Sequence, residues 1–295
     1  MTNGRSIQTK GDYVQILQQS AINPTINLSL VWNNVGMGDS GVAMALIQTG
    51  AKPLIGSILS KAIGLWLRSQ VDKIDHLQLN IEGSNRSLLS GDIPGVSVAA
   101  ENAIYQGLHL TQVQLQGSNI RFNLGQILKG QPLHLLEPFF VTGNLHLHQL
   151  DLNQSLQAPM LVQALNEFVL SLLIALTQSS SQSTYDLQNQ QNDSWVQSVQ
   201  RIQDTQILIE TDHLILNAQL LFDSGELLFF QLKTGLEIAN FRELMLVQPK
   251  VQIYDIDTEL HLDNYIIDLG SDIKIQDLIL SPGLLEIQAT LKINP

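Results

Sequence analysis

The chain has 295 residues, 44% of them apolar and only 14% charged, with a formal net charge of −12. That length can bury a substantial core as one large domain or two modest ones, and the hydrophobicity excludes wholesale disorder. Nine Lys/Arg against eight Asp/Glu give +1 over residues 1–150, while six against nineteen give −13 over residues 151–295. An acidic second half lacks the clustered cations that phosphate neutralisation requires, so no nucleic-acid partner is expected. With no cysteine, thiolate catalysis, disulfides and Cys-ligated metals are excluded.

Residues 1–50 read as an N-terminal extension, separate from a domain over 51–295. Ile26, Leu28, Leu30 and Trp32 alternate as one face of a short strand. Residues 33–41 are turn-rich and contain Gly36, Gly38 and Gly41 at G-x-G-x-x-G spacing. The preceding strand is not the continuous apolar run of a buried parallel strand, so no dinucleotide site is expected. Residues 1–18 are polar, with Arg5, Lys10 and Asp12 and no apolar segment of a secretory leader. The most apolar run, residues 168–177, is half of the roughly 20 residues that span a bilayer. The chain is therefore expected to be cytoplasmic, or peripheral on the cytoplasmic side of a membrane.

Pro53 suits a first helical position, and Leu54, Ile55, Ile58, Leu59, Ala62, Ile63, Leu65, Trp66 and Leu67 follow at helical spacing. From Ile74 the period becomes two: Leu77, Leu79 and Ile81 face one way, His76, Gln78, Asn80 and Glu82 the other. Similar alternation near residues 96–98, 108–115, 145–148, 207–209, 214–216 and 287–293, punctuated by glycines, predicts roughly ten antiparallel strands. A second helix is expected from Asn153 or Pro159 to Thr177, with Leu161, Leu165, Phe168, Leu172 and Leu176 in line. The Ser/Gln/Asn-rich residues 178–194 read as a surface loop dividing the β-rich region.

One stretch is more specific. Residues 81–96 run from a strand through Gly83 and Ser84 to Asn85 and Arg86, then Leu88, Leu89, Gly91 and a second strand. With residues 103–108, 119–121 and 150–156, this pattern resembles the LmeA-like phospholipid-binding family of bacteria over roughly residues 52–294. The resemblance implies an α+β fold: a long curved antiparallel β-sheet wrapping amphipathic helices around an apolar cavity, similar to tubular lipid-binding domains. It implies no catalytic residue and no cofactor.

Helical periodicity alone is more often the mark of an ordinary core. Combined with the resemblance, the two stripes make Leu54, Ile58, Leu59, Ile63, Trp66, Leu161, Leu165, Phe168 and Leu172 the candidate lipid-binding residues. Lys61 and Arg68 beside Trp66 are candidates for the membrane-facing side, since such groups favour headgroup depth. His146 and His148 share a strand face without a third ligand in sight, so they read as solvent-face residues. Asp255, Asp257, Glu259, His261 and Asp263 alternate over one predicted strand; at about 3.3 Å per residue the row is too long for one ion and reads as an acidic solvent face.

No G-x-S-x-G elbow or P-loop is present. The expected function is non-enzymatic binding of a phospholipid or similar amphiphile, for storage, presentation or transfer at a membrane surface. The alternative is a structural or interaction protein with a filled core that docks a protein partner. A lipid hydrolase is the least supported class.

Overall fold

The computed structural model describes Ser60, Ile63, Gly64, Leu67, Arg68 and residues 71–123, 134–180, 195–254 and 258–295. Strand pairing gives two six-stranded sheets, in the orders β1-β2-β3-β4-β12-β11 and β10-β8-β7-β6-β5, with β9 also paired to β8. The strands are β1 (His76–Glu82), β2 (Asp92–Tyr105), β3 (Leu108–Arg121), β4 (Phe139–His148), β5 (Val199–Ile209), β6 (His213–Phe222), β7 (Leu227–Asn240), β8 (Glu243–Ile253), β9 (Thr258–His261), β10 (Asn264–Asp268), β11 (Ile273–Ser281) and β12 (Leu284–Ile293). The helices are α1 (Asn85–Leu89), α2 (Gln149–Ser155) and α3 (Pro159–Ser180). The described residues fall into two compact units: 60–146 with Gln288–Pro295, and Leu147–Ile287.

In the first unit the alternation read from the sequence holds. Along β1 exposed and half-buried residues alternate strictly, and β1, β2 and β3 pair antiparallel in continuous register. A two-residue turn joins the 14-residue strands β2 and β3, with Gln106 and Gly107 both at positive φ, the conformation whose twist matches that of the flanking strands.

The recognised stretch is a turn between β1 and β2. Gly83 sits at φ +148°, and a Cβ there would meet Pro94 Cδ at 3.0 Å. Ser84 then caps α1, its Oγ accepting the Ser87 N–H at 3.1 Å. That turn drives Leu88 inward, 1% exposed, to join Ile93, Ile120 and Phe122, with Ile63, Ile81, Val96, Leu135 and Phe139 packed around them. At the surface Arg121 pairs with Asp92 (3.0 Å) and Glu137 (2.7 Å). The Glu137 and Asp92 carboxylates raise the guanidinium above its already high range, so it stays cationic short of strongly alkaline pH.

The second unit is built on α3. Val169, Leu172, Leu173 and Leu176, spaced i, i+3, i+4, i+7, are all 0% exposed. They form the buried core of this unit together with sheet residues such as Ile202, Leu216, Leu220, Phe230, Leu232, Val251 and Ile253. Strand β5 ends the second sheet, and helix side chains pair three of its N–H groups. Asn166 Oδ1 accepts from Ile202 (2.6 Å), Asn153 Oδ1 from Ile207 (2.8 Å) and Gln149 Oε1 from Ile209 (2.8 Å). Helix amides thus close a sheet edge that would otherwise recruit another strand.

Two expectations need correction. The apolar stretch is longer than ten residues: by length and composition alone Pro159–Thr177 is a span-length helix of mean hydropathy 1.8, because helical packing tolerates the scattered Gln, Asn and Glu of its first turns. The acidic row is not one strand either. β9 ends at His261 and β10 begins at Asn264, with Leu262 N–H donating to Pro249 O between them. Glu259 contacts His261 Nε2 at 3.2 Å; Asp255 and Asp257 lie outside the described residues.

Candidate functional site

Between α3 and the second sheet lies a cavity of about 330 Å³. Leu161, Ala164, Leu165 and Phe168 of α3 form one wall; Ile207, Leu214, Leu216, Leu232, Leu236, Leu244 and Leu246 form the other. Residues 265–269 close a side, where the Phe168 and Tyr265 rings meet edge-on with centroids 6.2 Å apart. This is the size and lining of a small apolar ligand pocket.

The wall offers hydrocarbon and almost nothing else. Thr234 is the one buried polar side chain in the lining, 2% exposed, and its hydroxyl donates to Gly235 O at 2.7 Å, with Val247 O at 3.2 Å. Its proton is therefore committed to backbone. No buried side-chain polar atom among the described residues lacks a partner, so no group in the wall demands a polar occupant. Asp268 stands at the rim, exposed, accepting the Gly270 N–H at 2.8 Å.

A second void of about 740 Å³ is lined by Asp212, His213, Lys233, Glu237, Lys250 and residues 278–280, among others. It mixes both signs of charge with apolar groups, so it lacks the chemical selectivity of the first. Among the described residues no group of three or more His, Asp or Glu is placed to hold a metal.

Of the candidate lipid-binding residues, the structure brings Leu161, Leu165 and Phe168 together on the cavity wall. Leu172, one turn further, does not line it; it is fully buried in the packed core beyond the cavity's end. Ile63 packs on the small core of the first unit. Arg68 is exposed, and Leu54, Ile58, Leu59, Lys61 and Trp66 lie outside the described residues. His148 is the residue preceding α2 and exposed; His146 faces Gln112 across β3–β4. The sheet side of the cavity was not anticipated. Its signal was present, since Leu214 and Leu216, Leu232 and Leu236, and Leu244 and Leu246 keep to one face of their strands. Only the pairing of β6, β7 and β8 brings the six leucines opposite α3.

No curated protein and no solved structure shows significant similarity to the chain. A family model does match, over residues 50–290, which takes in most of both compact units and every strand except the last three residues of β12. A β-rich chain whose turn geometry follows that pattern, matched over most of its length, belongs to the LmeA-like phospholipid-binding family.

Proposed function

We propose that this protein binds the acyl part of a phospholipid or similar amphiphile in the cavity between α3 and the second sheet, without catalysing a reaction. The protein then stores, presents or transfers that lipid at a membrane, in a tubular lipid-binding-like arrangement of sheet and helices. The observation that carries this reading is the void itself: about 330 Å³ walled by leucines and Phe168, with its one buried hydroxyl already committed. A protein that used the same fold only as a scaffold would gain stability by filling that space.

Energetics favour an exchangeable cargo. Each methylene moved from water into such a wall contributes about 0.8 kcal/mol, so ten contribute about 8 kcal/mol. Association costs of about 4–15 kcal/mol offset most of that. A single chain in this cavity is therefore held loosely enough to be handed on.

The test is direct. The full chain is purified without detergent and extracted with organic solvent, and the extract is read by mass spectrometry. Wild type is expected to carry phospholipid below stoichiometry, as a loosely held cargo would be, and Ala164→Phe, which fills the void from α3, to lose most of it while keeping the wild-type circular dichroism spectrum. A wild-type protein that carries no lipid and takes up no labelled phospholipid from vesicles overturns the proposal.

A further inference from the structure

We propose that the turn joining β7 to β8 is a membrane-docking tip that presents the mouth of the apolar cavity to a neutral phospholipid bilayer, an inference that rests on the function proposed above. Phe241, at the apex of this turn, is 68% exposed, the most exposed phenylalanine among the described residues. It stands beside the cavity mouth. Leu269, part of the lining, donates its N–H to Arg242 O at 2.8 Å, one residue from Phe241. Strand β10 is the last of its sheet and pairs with the start of β8, Ile267 opposite Leu244 and Asp268 opposite Glu243. Ile266, on the outer face of that edge strand, is 53% exposed and also borders the cavity. Apolar groups therefore extend from the interior to the edge strand at Ile266, and the exposed ring stands just past the Asp268–Glu243 pair that ends it.

The turn is built to lose water. Phe241 O accepts the Ile275 N–H at 2.8 Å, and Arg242 N–H donates to Asn240 Oδ1 at 2.9 Å. The Asn240 amide in turn donates to the Glu243 carboxylate. With both carbonyls and the Arg242 amide paired, the turn has few backbone groups left to desolvate at an interface, and the ring stands exposed at its apex.

Charge selects the kind of bilayer. Exposed Arg242 and Lys274 are balanced by Glu243, Asp268 and Asp272, and residues 151–295 carry −13 overall. Attraction to anionic lipid is thus absent, and insertion of the ring supplies the affinity.

The test is co-sedimentation of the full chain with phosphatidylcholine vesicles, with and without phosphatidylserine, at low and high salt. Wild type is expected to bind the neutral vesicles with little dependence on salt, and less well when phosphatidylserine is added. Phe241→Ser should lower partitioning about tenfold or more, the size expected for one buried Phe. Phe241→Trp should restore it, with an emission blue-shift on binding, and the exposed-residue control Phe140→Ser should leave it unchanged. Because the cavity is untouched, Phe241→Ser should still copurify with lipid at the wild-type level. Failure of wild type to sediment, equal sedimentation of wild type and Phe241→Ser, or an equal loss in Phe140→Ser overturns the tip; capture of a protein on the same residue without vesicle binding does so too. A wild-type chain empty of lipid counts instead against the cavity reading.

Discussion

The described core of residues 60–146 is a small cluster of Leu88, Ile93, Ile120 and Phe122 set beneath a turn, whereas Leu147–Ile287 seats a long helix on a sheet and leaves a void beside it. Most of the residues that carry the family resemblance lie in the first unit, with 150–156 in the second; the cavity lies in the second. These properties separate for a physical reason. A turn constrains residues one by one, as Gly83 must tolerate φ +148° and Ser84 must cap α1. An oily wall asks only for apolar side chains of suitable volume, and many choices satisfy it. The part of the chain easiest to identify is therefore not the part that holds the candidate cargo site.

The comparison can be broken or sharpened by four substitutions. The largest effect is expected from Leu172→Ala in the packed half of α3, where a fully buried side chain leaves a new hole: about 2–5 kcal/mol by urea denaturation. Leu161→Ala, on the cavity wall, should cost clearly less, because part of its side chain already faces empty space. Equal losses at both positions would mean that the void does not exist in solution.

Gly83→Ala comes next. Its Cβ meets Pro94, Leu88 and Ser87 at 3.0–3.2 Å in a conformation L-residues avoid, so a loss of about 1–3 kcal/mol is expected. Lipid retention in the second unit should not change. A fall in bound lipid comparable to that of Ala164→Phe would refute the separation of the two roles.

The smallest effect belongs to Asp92→Asn. It removes one of two exposed partners of Arg121, and exposed pairs of this kind contribute little, so the denaturation midpoint should not move measurably. The sign of any pH effect follows from the guanidinium. A folded-state pKa raised above the unfolded one gives stabilisation that is present at lower pH and lost only as pH rises through the guanidine range. Titrating wild type from roughly pH 5 to 9 should therefore show no transition attributable to Arg121.

Much of the fold was legible because side-chain period reports secondary structure directly. The strict alternation of β1 and the i, i+3, i+4, i+7 stripe of α3 are visible in the amino-acid order, whereas the helix start stays open there between Asn153, which the structure puts in α2, and Pro159, where α3 begins. The acidic row at 255–263 misled, because alternation persists across the break between β9 and β10 and a period of two does not reveal where a chain reverses. The candidate site was half legible. Leu161, Leu165 and Phe168 share a helix face by spacing alone, but so does Leu172, which the same stripe carries past the end of the cavity into solid packing.

The sequence by itself determined the β-rich class, the helix on which the cavity is built, the turn at 83–91 and the family, since each depends on residues close together along the chain. Tertiary structure decided which apolar residues enclose a space and which fill one. It also decided which amides close the β5 edge and which exposed ring stands beside the cavity mouth. Those depend on how strands pair and on what packs against them, where two apolar faces look alike until pairing sets the distance between them.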